Sequence, residues 1–370
     1  MRQFSRGFYG VLAALLVSGQ VGFAADQWGL TAGKVEFKSA GPMVFGPNGI
    51  LIVGDALAAT LVAIDTDDAQ GEPGKVSLNI DRLDEKLASL LGSKPESIKV
   101  TDIVANPLSG NVYVSVAAIG DGAPTLVKIN AKGELSKLAL DNARSSKVVL
   151  PNPPEDKVVG EGARRANKRS ESITDLAYVE GKVIVSGLSN AAAPSTVREI
   201  AFPFKESDAG ISIEIYHAAH GRSEDNAVVR AFVPFTIGGE PALLAGFTCT
   251  PLVKIPLGHL APGKKTLGTT VAELGNRNRP LDMIVYKKDG KDFLLMANSA
   301  RGVMKISTEN LQRSEGLTTP VTGGGTAGQA FETIAGLQGV VQLDRLNDRH
   351  AIILVQGEGS AMSLKTVELP

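Results

Sequence analysis

Short apolar strands alternate with small or polar turns along this chain, and one strand pattern returns six times. It reads Thr60-Leu-Val-Ala-Ile64, Thr125-Leu-Val-Lys-Ile129, Thr196-Val-Arg-Glu-Ile200, Pro251-Leu-Val-Lys-Ile255, Gly302-Val-Met-Lys-Ile306 and Ser363-Leu-Lys-Thr-Val367. Each copy carries an aliphatic residue at its second and fifth positions, and the starts lie 65, 71, 55, 51 and 61 residues apart. A supersecondary unit reused at such intervals cannot bury its apolar faces alone and must stack on neighbours, as in a propeller or array. The second copy shows the unit whole. Residues 101–106, 112–116, 126–129 and 134–140 read as four strands, joined by turns rich in Gly, Pro and Asn, which is the composition of a propeller blade. The same template fits 42–79, 173–216, 228–273, 280–318 and 331–369.

The predicted fold is therefore all-β, a six-bladed propeller in a single domain over residues 25–370, with seven blades as the alternative should the spacer 142–172 hold another. Leu83, Leu87, Leu90 and Leu91 followed by Gly92 predict a short amphipathic helix in the first spacer. The chain ends predict how the ring closes. The last unit stops after its third strand at 367–370, and residues 33–39 read as a strand with no unit of its own. Pairing the two would complete the last blade and cover both open edges.

Residues 1–24 read as a signal peptide: Arg2 and Arg6, a short apolar run from Gly10 to Ser18, then the small residues of Gly22-Phe-Ala24. The expected mature chain starts near Ala25 and is periplasmic or secreted, with no membrane span. A formal charge of −1 argues against a nucleic-acid partner. A single cysteine, Cys249, excludes an internal disulfide and leaves three readings: a small buried hydrophobe, a metal ligand or a reactive thiol.

Taken together, the units resemble those of secreted β-propellers of the YVTN, NHL and quinoprotein-like superfamilies. The resemblance covers nearly all of residues 25–370 and rests on strands and turns. In NHL-type and lactonase-type propellers it implies a function on one face of the ring. The Trp-rich blade motif of pyrroloquinoline-quinone dehydrogenases is missing, since the one tryptophan, Trp28, precedes the first unit. Fold alone does not supply a function.

Strand direction gathers scattered residues on one rim. Loops after second strands and connections between blades share a face, and there the sequence places His217, His220, Cys249, Asn276, Arg277, Arg279, Asn298 and Arg301. Two imidazoles and a thiolate suit copper or zinc, and His217 and His220 can face together if their connection makes a turn. The opposing expectation is a packed thiol and two solvated loop histidines. Asp102, Asp175 and Asp282 each open an innermost strand near the axis, where carboxylates could hold calcium or could cap their own turns. No Gly-x-Ser-x-Gly occurs. Two functional readings follow. One is an exported binding or scaffold propeller that holds a protein or small-molecule partner on its loop-rich face. The other is a metal-dependent enzyme or electron-transfer protein centred on His217, His220 and Cys249.

Overall fold

The computed structural model describes residues 27–118, 120, 122–162, 165–258, 262–313, 315–359 and 361–370. The expected signal peptide, residues 1–24, lies outside them, as does His259. Among the described residues no helix is long and apolar enough to cross a membrane.

Six small, mainly antiparallel sheets stand in a ring, numbered here as blades in chain order. Blade 1 runs outward as Met43–Phe45, Ile50–Asp55, Thr60–Asp65 and Ala143–Val149, with Thr31–Gly33 on its edge. Blade 2 is Val100–Ala105, Val112–Val116, Thr125–Ile129 and Leu135–Lys137. Blade 3 is Asp175–Val179, Lys182–Leu188, Ser195–Ala201 and Ile211–His217, extended by Arg222–Glu224. Blade 4 is Val229–Ile237, Glu240–Phe247, Pro251–Pro256 and Thr269–Glu273, with Ala327–Gly328 outside. Blade 5 is Pro280–Lys288, Lys291–Asn298, Gly302–Ser307 and Phe331–Thr333. Blade 6 is Val340–Arg345, His350–Gln356, Met362–Glu368 and Asn79–Ile80.

The repeated strand is the third of every blade, and its pattern has a plain cause. Residues three apart on a strand lie on opposite faces of the sheet. The aliphatic at the second position therefore packs on one neighbouring blade and that at the fifth on the other. Leu61 joins blade 3 while Ile64 joins blade 2, and Leu126 joins blade 1 while Ile129 joins blade 6. Followed around the molecule, these contacts give the circular order 1, 3, 4, 5, 6, 2. Blade 2 is thus seated between blades 1 and 6, and the chain doubles back past blade 1 to build blade 3.

This path corrects the expected closure. Blade 6 is completed by Asn79–Ile80, from the segment between blades 1 and 2, with Leu364 opposite Ile80 and Lys365 opposite Asn79. Beside it Val76, Leu78, Ile80, Leu83 and Leu87 fill the joint between blades 2 and 6. The predicted helix is there as Leu83–Leu91, ended by Gly92 in the left-handed conformation (φ 67°). Among its described residues the 142–172 spacer holds no seventh blade. Its Ala143–Val149 pairs with Thr60–Asp65 as the outer strand of blade 1. Residues 33–39 do not pair with the C-terminus. Only Thr31–Gly33 is a strand, on Ala143–Ser145, while Val35 and Phe37 insert their apolar sides between blades 1 and 2. The edge that 33–39 was expected to cover is already taken by Asn79–Ile80. One boundary also moves: Phe331, expected to open the last unit, lies in the outer strand of blade 5.

The joints are pinned at the axis by aspartates. Asp102 of blade 2 accepts from Met43 N of blade 1 at 2.6 Å, and Asp175 of blade 3 from Phe232 N of blade 4 at 2.7 Å. Asp282 of blade 5 accepts from Leu343 N of blade 6 at 2.8 Å, and Asp344 of blade 6 from Ala105 N of blade 2 at 2.7 Å. These bonds satisfy inner-strand donors that no ladder reaches.

Candidate metal centre at the joint of blades 3 and 4

The outer strand of blade 3 alternates buried and half-buried residues and ends at His217. A tight turn follows, closed by His220 N donating to His217 O at 3.0 Å, so the two imidazoles come onto one side. The chain then returns as Arg222–Glu224, which pairs back on the same strand. That return delivers Glu224 beneath both rings. Its Oε2 meets His217 Nδ1 and its Oε1 meets His220 Nδ1, each at 2.8 Å, and the ring centroids lie 3.8 Å apart. Burial opposes the charge on Glu224, but hydrogen bonds from His217, His220 and Arg222 prevail and hold its carboxyl at about 2. Burial also lowers the His217 pKa, favouring the neutral imidazole.

A carboxylate on Nδ1 fixes the tautomer that leaves Nε2 with a free lone pair. His217 Nε2 is buried and has no hydrogen-bond partner among the described residues. A buried polar atom without a partner costs stability unless a ligand satisfies it.

The thiol arrives from blade 4. Its second strand ends at Phe247, and Cys249 and Thr250 both adopt left-handed backbone (φ 67° and 63°). Two consecutive non-glycine residues in that region, one β-branched, store of order 1–3 kcal/mol each. Among the bonds that hold the turn, Cys249 N donates to Asn278 O at 2.9 Å, Thr250 N to Phe247 O at 2.9 Å and Thr250 Oγ1 to Gly275 O at 2.6 Å. The outcome is that one ligand atom from each of His217, His220 and Cys249 lies within 4.8 Å of the others. A metal bonded at roughly 2.0–2.3 Å would bring such atoms to roughly 3.3–3.7 Å, a contraction of about 1 Å. His217 is buried, Cys249 half-buried and His220 exposed, so the cluster opens to solvent on one side.

Glu273, at the end of the outer strand of blade 4, lies against the same turn. Its Oε2 accepts from Ala219 N at 3.1 Å, its Oε1 is buried without a partner among the described residues, and burial raises its carboxyl to about 7.

The other expected residues divide. Asn298 is buried and accepts from Asn278 Nδ2, and Asn278 in turn holds the Cys249 turn, so both are supports. Arg301 lies against Gly275, and Asn276 against Gly324. Arg277 is exposed. Arg279 lines the mouth of the central channel together with Asp102, Asp175 and Asp282. Those aspartates do not close on a cation as His217, His220 and Cys249 do, because each is drawn sideways to the next blade. With its amide nitrogen facing them, Gln342 donates to Asp282 Oδ2 at 2.8 Å and Asp102 Oδ1 at 3.1 Å. Burial first, then repulsion from Asp282 at Asp102 and from Asp175 at Asp282, raises both well above the usual carboxylate range, and burial puts Asp175 at about 7 and Asp344 at about 6.

No family model matches the chain, and no curated protein matches it either. Among solved structures, the PQQ-bound aldose sugar dehydrogenase of Streptomyces coelicolor is 11% identical, with 91% of this chain and 96% of that chain covered and a TM-score of 0.33. An α-L-arabinofuranosidase of Clostridium thermocellum is 10% identical, with 69% and 82% covered and a TM-score of 0.37. Likenesses of this size carry no chemistry over to the present chain, and its own coordinates define the six-bladed ring.

Proposed function

We propose that this chain is an exported β-propeller that holds one copper or zinc ion on its loop-rich face through His217, His220 and Cys249. The observation carrying this reading is the gathering of donor atoms from His217, His220 and Cys249, with both imidazoles oriented by one carboxylate and the Nε2 of His217 buried without a partner among the described residues. A carboxylate behind a ligating imidazole is the usual outer-shell arrangement of a metal site. Two imidazoles and a thiolate are a donor set for copper or zinc rather than calcium or magnesium. Three protein ligands leave a further coordination position open on the side of exposed His220, which suits redox or hydrolytic chemistry on a small ligand. The strain at Cys249 and Thr250 fits this role, since a turn of that cost persists where the surrounding structure enforces it.

Cobalt(II) titration of the purified full chain tests the reading. A thiolate-to-cobalt charge-transfer band that saturates at one ion per chain and is lost in Cys249→Ser is expected. A cobalt spectrum identical in wild type and Cys249→Ser would remove the proposal.

A further inference from the structure

A second site is built at the upper end of the central channel. The cavity there measures about 360 Å³, within the usual range for a small-molecule pocket, and its wall carries Lys99 of the segment entering blade 2, Arg230 of blade 4 and Arg279 of the segment entering blade 5. Most other polar groups around it are already engaged. Thr101 Oγ1 bonds Ala40 O at 2.7 Å, Thr174 Oγ1 pairs with Ser186 Oγ at 2.9 Å, and Ser170 Oγ bonds Asn167 O at 2.7 Å. The aspartates on the floor are committed to the joints between blades and to Gln342.

What remains uncommitted is cationic. The Lys99 ammonium and the Arg279 guanidinium have no hydrogen-bond or ion-pair partner among the described residues. Arg230 is fixed in place, with Nη2 on Glu171 Oε1 at 2.7 Å and Nε on Thr248 Oγ1 at 2.9 Å. Against these three basic side chains the lining carries Glu171, paired with Arg230, and the floor aspartates Asp102, Asp175 and Asp282, whose charged forms burial disfavours. In the circular order 1, 3, 4, 5, 6, 2, blades 2 and 4 face each other across the axis. One singly charged group cannot reach cations on opposite walls, whereas a molecule with an anionic group at each end can.

We propose that this cavity binds a small molecule bearing two anionic groups, carboxylate or phosphate, held between Lys99 on one wall and Arg230 and Arg279 on the other. The site is independent of the metal reading. It meets that centre through Arg230, whose partner Thr248 precedes Cys249, and through Arg279, which follows the Asn278 that holds the Cys249 turn.

The test is calorimetric titration of the full chain at low ionic strength with succinate and with pyrophosphate, in wild type, in Cys249→Ser and in the Lys99→Gln/Arg279→Gln double variant. Saturable one-to-one binding of at least one probe is expected, and which probe binds separates the dicarboxylate from the diphosphate. Cys249→Ser should bind as wild type does, so loss of the metal site alone cannot mimic failure here. The double variant alters exposed side chains, so it should keep the wild-type melting temperature while binding at least about tenfold more weakly, the worth of a lost charge-assisted hydrogen bond. No saturable binding of either probe, or undiminished binding by the double variant, would overturn the proposal.

Discussion

Replacing Leu87 by Ala tests the path by which the ring closes. Leu87 is 0% exposed and lies in the joint between blades 2 and 6, among Leu83, Ile352, Leu354 and Leu364. Alanine is the best helix former, so the substitution leaves the helix Leu83–Leu91 its local preference and removes only packing. A fully buried Leu→Ala change costs roughly 2–5 kcal/mol through lost transfer energy and the cavity left behind, and about 3 kcal/mol suits a joint lined by rigid strands. With an unfolding entropy of roughly 2.1 cal/mol/K per residue over a ring of this size, that is a fall of about 4 °C in melting temperature. Urea denaturation should show the same loss as a lower midpoint at unchanged slope. Leu267→Ala, at a side chain 65% exposed, serves as the control and should be close to neutral. A cost below about 1 kcal/mol at Leu87 would mean that the segment between blades 1 and 2 does not seal the ring.

Other consequences are as direct. Asp175 and Asp344, at about 7 and about 6, titrate well above the unfolded value near 3.9, so the fold favours their protonated forms and stability should rise as pH falls from about 7 to about 5. Glu224, held at about 2, loses its contribution only below about pH 4, outside that window. Asp175→Asn keeps an oxygen acceptor for Phe232 N and should flatten the profile in pH-dependent denaturation; an unchanged profile would shift the effect elsewhere. Glu224→Gln should weaken cobalt or zinc affinity by about 10–100-fold, as loss of an outer-shell carboxylate does, and an unaltered affinity would deny Glu224 its orienting role. Asp68→Ala strands Ser109, Asn111 and Tyr113, which all donate to that carboxylate, and should cost about 3 kcal/mol or more in urea denaturation.

Blade number and the third strand of each blade were legible because that strand must present an aliphatic to both neighbours, and the requirement writes the same five-residue pattern six times, whereas the outer strands of blades 1 and 6 come from segments outside their expected units. The circular order was not legible, since the pattern states that a blade has two neighbours and never which two. Asn79–Ile80 is two residues long, too short for any periodicity, although the two widest spacings, 65 and 71 residues, fall where the chain doubles back. The convergence of the histidines and Cys249 followed from strand direction. Glu224 did not, because a lone glutamate after a glycine turn carries no signal until the hairpin Ile211–His217 to Arg222–Glu224 is known. Asp344, Lys99 and Arg230 were missed for a like reason. Only the closed ring brings the starts of inner strands from separate blades around one axis.

The most direct measurement is the metal content of the purified full chain by elemental analysis, beside Cys249→Ser, His217→Ala and the control His350→Ala, whose imidazole bonds Asn347 away from the site. One copper or zinc ion per chain is expected in wild type and in His350→Ala, with little in the other two. Stoichiometric metal retained in both Cys249→Ser and His217→Ala, or none in wild type after incubation with either ion, would contradict the account.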